Sequence, residues 1–120
     1  MSKILLVEDD KFLRDLLSRK LQEENLNVIP AIDGEEGVKK AEEEMPDLML
    51  LDLILPGING FDVLKKIKEN QKTSGIPVIV LSNLGQKEDV ERALSLGAKD
   101  YLIKANFTLE EIFEKIKKHL

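Results

Sequence analysis

The sequence predicts one α/β domain, in which a five-stranded parallel sheet is covered by helices on both faces. Two observations support this fold class. Five short apolar runs alternate with five amphipathic segments along the 120 residues. These runs are apolar throughout rather than at every second position, which is typical of strands buried on both faces. A single domain over residues 1–120 follows, with right-handed connections between the strands.

Composition narrows the class of protein. With 42% apolar and 34% charged residues, the chain is predicted to be globular. The absence of cysteine excludes disulfides and thiolate metal sites and favours a reducing compartment, so we expect a cytoplasmic protein. A net charge of −5 argues against direct nucleic-acid binding. We expect no membrane contact, because no apolar run approaches the roughly 20 residues of a span and no signal peptide is visible.

The first strand–helix unit begins with the apolar run from Ile4 to Val7. Leucines then recur at helical spacing between Lys11 and Glu24, which predicts an amphipathic helix. Asp10 precedes this helix and is a candidate N-cap.

The second unit contains the short apolar run from Val28 to Ala31. Pro30 interrupts it, and proline predicts a strand at the edge of a sheet. Asp33 follows as a candidate N-cap, and the helix is expected to run to about Glu44, before Pro46.

The third and fourth units have the most apolar strands. One strand ends at Asp52 and continues through a Pro-Gly loop to Gly60, and the next runs from Ile76 to Leu81. Helical spacing predicts that the two following helices turn these residues inward: Phe61, Leu64, Ile67, Val90, Ala93 and Leu94.

The last unit has a short strand, Tyr101 to Ile103, and ends in a helix opened by a capping box at Thr108. Its predicted inward residues are Leu109, Ile112, Phe113, Ile116 and Leu120. His119, the only histidine, is expected to be exposed and without a role as ligand or phosphodonor.

Polar residues follow four of the five predicted strands: Glu8-Asp9-Asp10, Asp52, Ser82 and Lys104. The carboxyl ends of parallel strands meet at one edge of the sheet, where such folds bind ligands. Clustered carboxylates repel, and a hard cation such as Mg²⁺ relieves the repulsion. Lys104 and Ser82 add donors for anionic oxygens. This set suits phosphoryl transfer to a nucleophilic carboxylate, for which Asp52 is the candidate.

Four motifs in this order resemble the receiver domain of two-component response regulators, over essentially the whole chain. They are Val7-Glu8-Asp9-Asp10, Leu51-Asp52 with Pro56-Gly57 and Asn59-Gly60, Leu81-Ser82, and the run from Gly97 to Lys104. The resemblance implies a flavodoxin-like fold with strand order 2-1-3-4-5. It also implies a single-domain arrangement like that of chemotaxis regulators, or a receiver taken from a longer regulator.

The resemblance also implies roles around the metal. Asp52 is the implied phosphoacceptor and a Mg²⁺ ligand. Asp9 is the implied direct ligand, Glu8 the outer, water-linked carboxylate, and the Ile54 backbone carbonyl the third protein ligand.

By the same resemblance, Ser82 and Lys104 bind the phosphoryl group, and Tyr101 switches position with Ser82. The implied function is a phosphoacceptor switch rather than an enzyme acting on an outside substrate. A sensor histidine kinase or a phosphotransfer protein would be the donor. A downstream protein or effector domain would contact the fourth helix, fifth strand and fifth helix.

The sequence departs from the family pattern at several positions. Ala105 follows Lys104 where the family usually has a proline after a cis bond, so either a costly cis bond remains or the lysine or its loop must shift. Asn83 lies where the family usually has a small residue, so we expect narrower access to the phosphoryl site. Ile54 and Leu84 are both apolar. In the family these two positions border the path of the hydrolytic water, so we predict slow loss of the phosphoryl group.

Other interpretations remain at this point. A phosphatase with an aspartate nucleophile would need a second aspartate at the position of Ile54. A flavin or nucleotide carrier would need a Gly-rich or Ser/Thr-rich loop in place of the acidic run after the first strand. A receiver-like domain that binds partners without phosphorylation is the third alternative. Asp10 could serve only as a cap, and Asp62, Asp89 and Asp100 are expected to be solvated or capping.

Overall fold

The computed structural model describes residues 1–120 and has one five-stranded sheet between two layers of helices. All strand pairs are parallel and the order is β2-β1-β3-β4-β5. The strands are β1 (Lys3–Val7), β2 (Asn27–Ala31), β3 (Leu48–Leu51), β4 (Val78–Ser82) and β5 (Asp100–Ile103). The helices are α1 (Lys11–Glu23), α2 (Gly34–Glu44), α3 (Gly60–Glu69), α4 (Lys87–Ser95) and α5 (Leu109–Lys118). The predicted fold class is confirmed.

Alternate residues of the same strands supply two separate cores. In β1, Leu5 and Val7 point into the core formed with α2, α3 and α4, whereas Ile4 and Leu6 point into the core formed with α1 and α5. Both sets are buried, with at most 1% exposure. Burial on both faces explains why these strands lack the alternation of apolar and polar residues seen in half-exposed sheets.

Strand β2 forms one edge of the sheet, as Pro30 predicts. The N–H of Asn27 donates to the carbonyl of Ser2, and the carbonyl of Ala31 accepts from Glu8. Because successive residues of a strand alternate in direction, the nitrogen of Pro30 faces away from β1. The missing donor therefore removes no hydrogen bond from the sheet.

The predicted caps are present. Asp10 accepts hydrogen bonds from the N–H groups of Phe12 and Leu13, and Thr108 forms a complete capping box with Glu111. Helix α2 ends on Met45, which adopts the left-handed conformation at φ 46°. None of the helices has the length and apolar character needed to cross a membrane.

Three predicted side-chain environments were wrong. Leu94 and Leu120 are 45% and 48% exposed, because Ala93 is the one residue of α4 that is fully buried and Leu120 lies beyond the end of α5. His119 is only 17% exposed, and its Nε2 lies 3.1 Å from Oδ2 of Asp100. Helical periodicity does not reveal such a contact between the end of α5 and the start of β5.

Candidate functional site

Strand β3 places Asp52 at the carboxyl edge of the sheet. The strand ends at Leu51, and the backbone N–H of Asp52 still donates to the carbonyl of Val7 at 3.1 Å. The residue is 4% exposed. A buried carboxylate in this position requires compensating partners, because an isolated charge is costly to bury.

The loop between β1 and α1 brings two further carboxylates to Asp52. Glu8 is 1% exposed, and its Oε2 accepts the backbone N–H of Asp10 at 3.1 Å. Asp9 is exposed. Glu8, Asp9 and Asp52 each offer an oxygen, and these oxygens lie within 4.8 Å of one another. Residues from two neighbouring strands therefore converge on one acidic site.

Lys104 bridges the two buried carboxylates. Its Nζ lies 2.8 Å from Oδ2 of Asp52 and 2.8 Å from Oε1 of Glu8, and its side chain is 17% exposed. Burial lowers the pKa of Lys104, but the close contacts with the carboxylates of Asp52 and Glu8 outweigh this effect and leave the pKa raised. The ammonium group is therefore charged at neutral pH and offsets part of the acidic cluster.

Glu8 is the carboxylate with the least satisfied environment. Burial raises its pKa, and the nearby charge of Asp52 adds to the effect, against the lowering contributed by Lys104. Its Oε1 is completely buried and makes no hydrogen bond of good geometry, although Lys104 lies close. A buried carboxylate oxygen whose near partner is a lysine shared with Asp52, beside two other carboxylates, fits a hard divalent cation, for which oxygen ligands are preferred.

The loop after β3 is packed tightly against Asp52. The N–H of Ile54 donates to Oδ1 of Asp52 at 3.1 Å, while the Ile54 side chain is 54% exposed. A Cβ at Gly60 would overlap the Cα of Leu53 and the carbonyl oxygen of Asp52, so only glycine fits there. Both carboxylate oxygens of Asp52 are thus hydrogen-bonded, one by this loop and one by Lys104.

Ser82 and Tyr101 lie on the neighbouring strands β4 and β5. Ser82 is fully buried at the end of β4, in register with Ile103, and its Oγ accepts the N–H of Leu84 at 3.3 Å. The hydroxyl of Tyr101 donates to the carbonyl of Leu84 at 2.5 Å. Burial, followed by the charges of Asp89 and Asp52, raises the pKa of Tyr101 to about 12. Both side chains therefore contact the loop that leads into α4.

The loop after β5 contains Ala105, at the position where the sequence left the isomer of the preceding peptide bond open. All peptide bonds are trans, and residues Lys104–Asn106 form a short 3₁₀ helix. Lys104 nevertheless reaches both Asp52 and Glu8. Of the alternatives left open by the sequence, the cis bond is absent, and the lysine keeps its carboxylate partners.

Sequence reasoning missed two residues that support the site. Arg14 donates from Nη1 to the carbonyls of Glu8 and Asp9, at 2.8 and 3.2 Å. Glu35 accepts the N–H of Ile58 at 3.3 Å, and its Oε2 lies 2.7 Å from the position that a Cβ of Gly57 would occupy. Both occupy polar positions in predicted helices, where periodicity indicates only a solvated face. The left-handed φ of +74° at Gly57 is compatible with the predicted Pro-Gly turn.

The chain is similar in sequence and fold to known proteins. The model of the response regulator receiver domain family matches residues 4–117. The chain is 38% identical over 117 residues to the DNA-binding dual master transcriptional regulator RpaA of Synechocystis, covering 98% of this chain and 48% of that protein. It is also 38% identical over 117 residues to the response regulator ArlR of Staphylococcus aureus, covering 98% of this chain and 52% of that protein.

A solved structure of a known protein has a similar fold. The CheY-like response regulator receiver domain protein of Methanospirillum hungatei has a TM-score of 0.91 and 30% identity, over 98% of this chain and 92% of that one. The chain spans about half the length of the curated relatives it matches, at 48% and 52%. The likeness to those two proteins is therefore confined to part of each.

Proposed function

Because this chain belongs to the response regulator receiver domain family, we propose that it is a phosphoacceptor switch that receives a phosphoryl group on Asp52. The observation that carries the proposal is the convergence of Asp52, Asp9, Glu8 and Lys104 at one edge of the sheet. The donor is a partner histidine kinase or a phosphotransfer protein. The chain promotes its own phosphorylation and dephosphorylation and turns over no outside substrate.

The chemistry is an in-line attack by a carboxylate oxygen of Asp52 on the phosphorus of the donor's phosphohistidine. The new P–O bond forms as the P–N bond to the donor's imidazole breaks, and the imidazole keeps the bonding pair and takes up a proton. In the structure, Lys104 donates to Oδ2 of Asp52. On phosphorylation of Asp52, its ammonium group moves from the carboxylate to a phosphoryl oxygen. Ser82 donates its hydroxyl to a second phosphoryl oxygen.

Glu8, Asp9, Asp52 and the backbone carbonyl of Ile54 would hold Mg²⁺. The ion supplies charge neutralisation for the phosphoryl oxygens during transfer. The carboxylates are suited to this task because three of them share the site and one lysine balances only part of their charge.

The phosphoryl group is read out through the loop between β4 and α4. Ser82 and Tyr101 each hydrogen-bond to Leu84 in that loop. When Ser82 turns toward the phosphoryl group, the N–H of Leu84 loses its acceptor and the contact with Tyr101 changes. The face formed by α4, β5 and α5 then presents a different surface to a downstream protein or effector domain, in the cytoplasm.

Intact-mass measurement tests the proposal. The wild type and Asp52→Ala are incubated with Mg²⁺ and a small phosphoramidate or acyl phosphate donor. We expect a gain of one phosphoryl group in the wild type, its loss in Asp52→Ala and in EDTA, and its retention in Asp62→Ala, which removes an exposed aspartate of α3. Retention of the gain in Asp52→Ala would exclude Asp52 as the acceptor.

The alternative is a receiver-like domain that acts by partner binding without phosphorylation. Asn83, exposed next to Ser82, and Ala105, after Lys104, favour it, since both depart from the pattern of the family. Absence of any mass gain in a folded wild type that binds Mg²⁺ would select this alternative.

A further inference from the structure

We propose that Arg14 is a positioning residue for the divalent-cation site, an inference that rests on the proposed function. One guanidinium nitrogen, Nη1, donates to the carbonyls of both Glu8 and Asp9, at 2.8 and 3.2 Å. These are the residues whose carboxylates join Asp52 in the acidic cluster. Arg14 touches their backbone rather than their side chains, so it acts through the shape of the loop.

The loop between β1 and α1 is only three residues long, from Glu8 to Asp10. Its two ends are secured by the hydrogen bond from Glu8 N–H to the carbonyl of Ala31 and by the cap that Asp10 gives to α1. The two peptide planes between these ends are oriented by the carbonyls that Arg14 binds. Turning either carbonyl rotates the adjoining Cα–Cβ bond and so moves a carboxylate out of the cluster.

The backbone of Arg14 is held in place by α1. Its own backbone N–H donates to the carbonyl of Asp10 at 2.9 Å, within the first turn of α1. The side chain is half-buried, so the guanidinium reaches back over the start of the helix to the loop. Nη1 is held in the guanidinium plane while it donates to both carbonyls, and a lysine ammonium, a rotatable point charge on a flexible chain, fixes them less rigidly.

Charge and position predict opposite effects on cation binding. A guanidinium beside an acidic site repels a divalent cation, so by Coulomb interaction alone its removal strengthens Mg²⁺ binding. If Arg14 positions the ligands, its removal weakens Mg²⁺ binding, because residues that orient metal ligands typically contribute about 10- to 100-fold to affinity. The sign of the change separates the two roles.

The experiment is a calorimetric titration with Mg²⁺ of the wild type, Arg14→Gln, Arg14→Lys and Arg19→Gln. Arg19 is an exposed arginine of the same helix, so Arg19→Gln is the matched control for loss of one positive charge. We expect Arg14→Gln to bind Mg²⁺ about tenfold more weakly. Arg14→Lys should fall between Arg14→Gln and the wild type, and Arg19→Gln should stay within about twofold.

Urea unfolding in EDTA accompanies the titration and shows whether each variant is folded. If Arg14→Gln fails to fold, Arg14→Lys decides: weaker binding than the wild type supports the inference, and equal binding overturns it. Equal or tighter Mg²⁺ binding by a folded Arg14→Gln also overturns it. A wild type that binds no Mg²⁺ overturns the proposed function itself, whereas normal wild-type binding with an unaffected Arg14→Gln overturns the role of Arg14 alone.

Discussion

Replacing Lys104 by methionine removes the one cation that lies between Asp52 and Glu8. Its Nζ is 2.8 Å from an oxygen of each, and the two carboxylates are 4% and 1% exposed. In Lys104→Met both acids keep their burial and lose their partner. We expect the free energy of unfolding in EDTA at pH 7 to fall by about 3 kcal/mol.

This magnitude follows from the burial of the three groups. Removing one partner of a buried ion pair costs about 3–5 kcal/mol, because the remaining charge is uncompensated. The lower end applies, since the backbone N–H groups of Asp10 and Ile54 still donate to Glu8 and Asp52 in the variant. Methionine preserves most of the volume, so loss of packing contributes little.

Urea titration followed by circular dichroism measures the change. A loss of about 3 kcal/mol at a slope near 2 kcal/mol per molar lowers the midpoint by roughly 1.5 M. The matched control is Lys65→Met, in which an exposed lysine of α3 is replaced and the change stays within about 0.5 kcal/mol. A loss below about 1 kcal/mol, or one equal to that of Lys65→Met, would refute the reasoning.

The pH dependence has a defined sign. Because the pKa of Lys104 is raised in the folded state, its contribution is fully present below the unfolded lysine pKa, about 10.4, and is lost as the pH rises through the folded value. On the acid side Glu8, whose pKa is also raised, takes up its proton before an unfolded glutamate does. The difference in free energy of unfolding between the wild type and Lys104→Met should therefore shrink as the pH falls toward 4.

Three further predictions concern other parts of the chain. Met45→Gly should raise the free energy of unfolding by roughly 0.5–1 kcal/mol in urea titration, because φ is 46° there, and no gain would contradict the strain. Gly60→Ala should lower the free energy of unfolding by about 2 kcal/mol or more and reduce phosphorylation, since the added Cβ overlaps Leu53 and Asp52. An unchanged free energy of unfolding would contradict this overlap. Ile54→Asn with Leu84→Glu should shorten the phosphoryl half-life roughly tenfold by mass spectrometry, and an unchanged half-life would defeat the idea that these apolar residues slow hydrolysis.

The fold followed from the sequence because each local signal agreed with the others. The apolar runs ending at Val7 and Asp52 are buried on both faces, and Pro30 lies at a sheet edge. Element boundaries moved by a residue or two, as for β4, which begins at Val78 rather than Ile76. The prediction that Leu94 points inward was wrong, because a nine-residue helix with one buried position leaves apolar residues in solvent.

The site was predictable only in part. Residues at strand ends, such as Asp52 and Lys104, are placed by topology, so their proximity could be expected before any distance was known. The contacts of Arg14 and of His119 depend on rotamers that reach across loops, and no spacing in the sequence encodes them. The roles of Ser82 and Tyr101 in signalling remain predictions.

The edge position of Pro30 has a consequence for the behaviour of the protein in concentrated solution. On the outward side of β2, only the N–H of Val28 is left to pair with a further strand, because the nitrogen of Pro30 carries no hydrogen. A second molecule adding to that side would forfeit a hydrogen bond in the middle of the new pairing. Aggregation by edge-to-edge growth is therefore resisted there, and the remaining open edge, β5, is only four residues long.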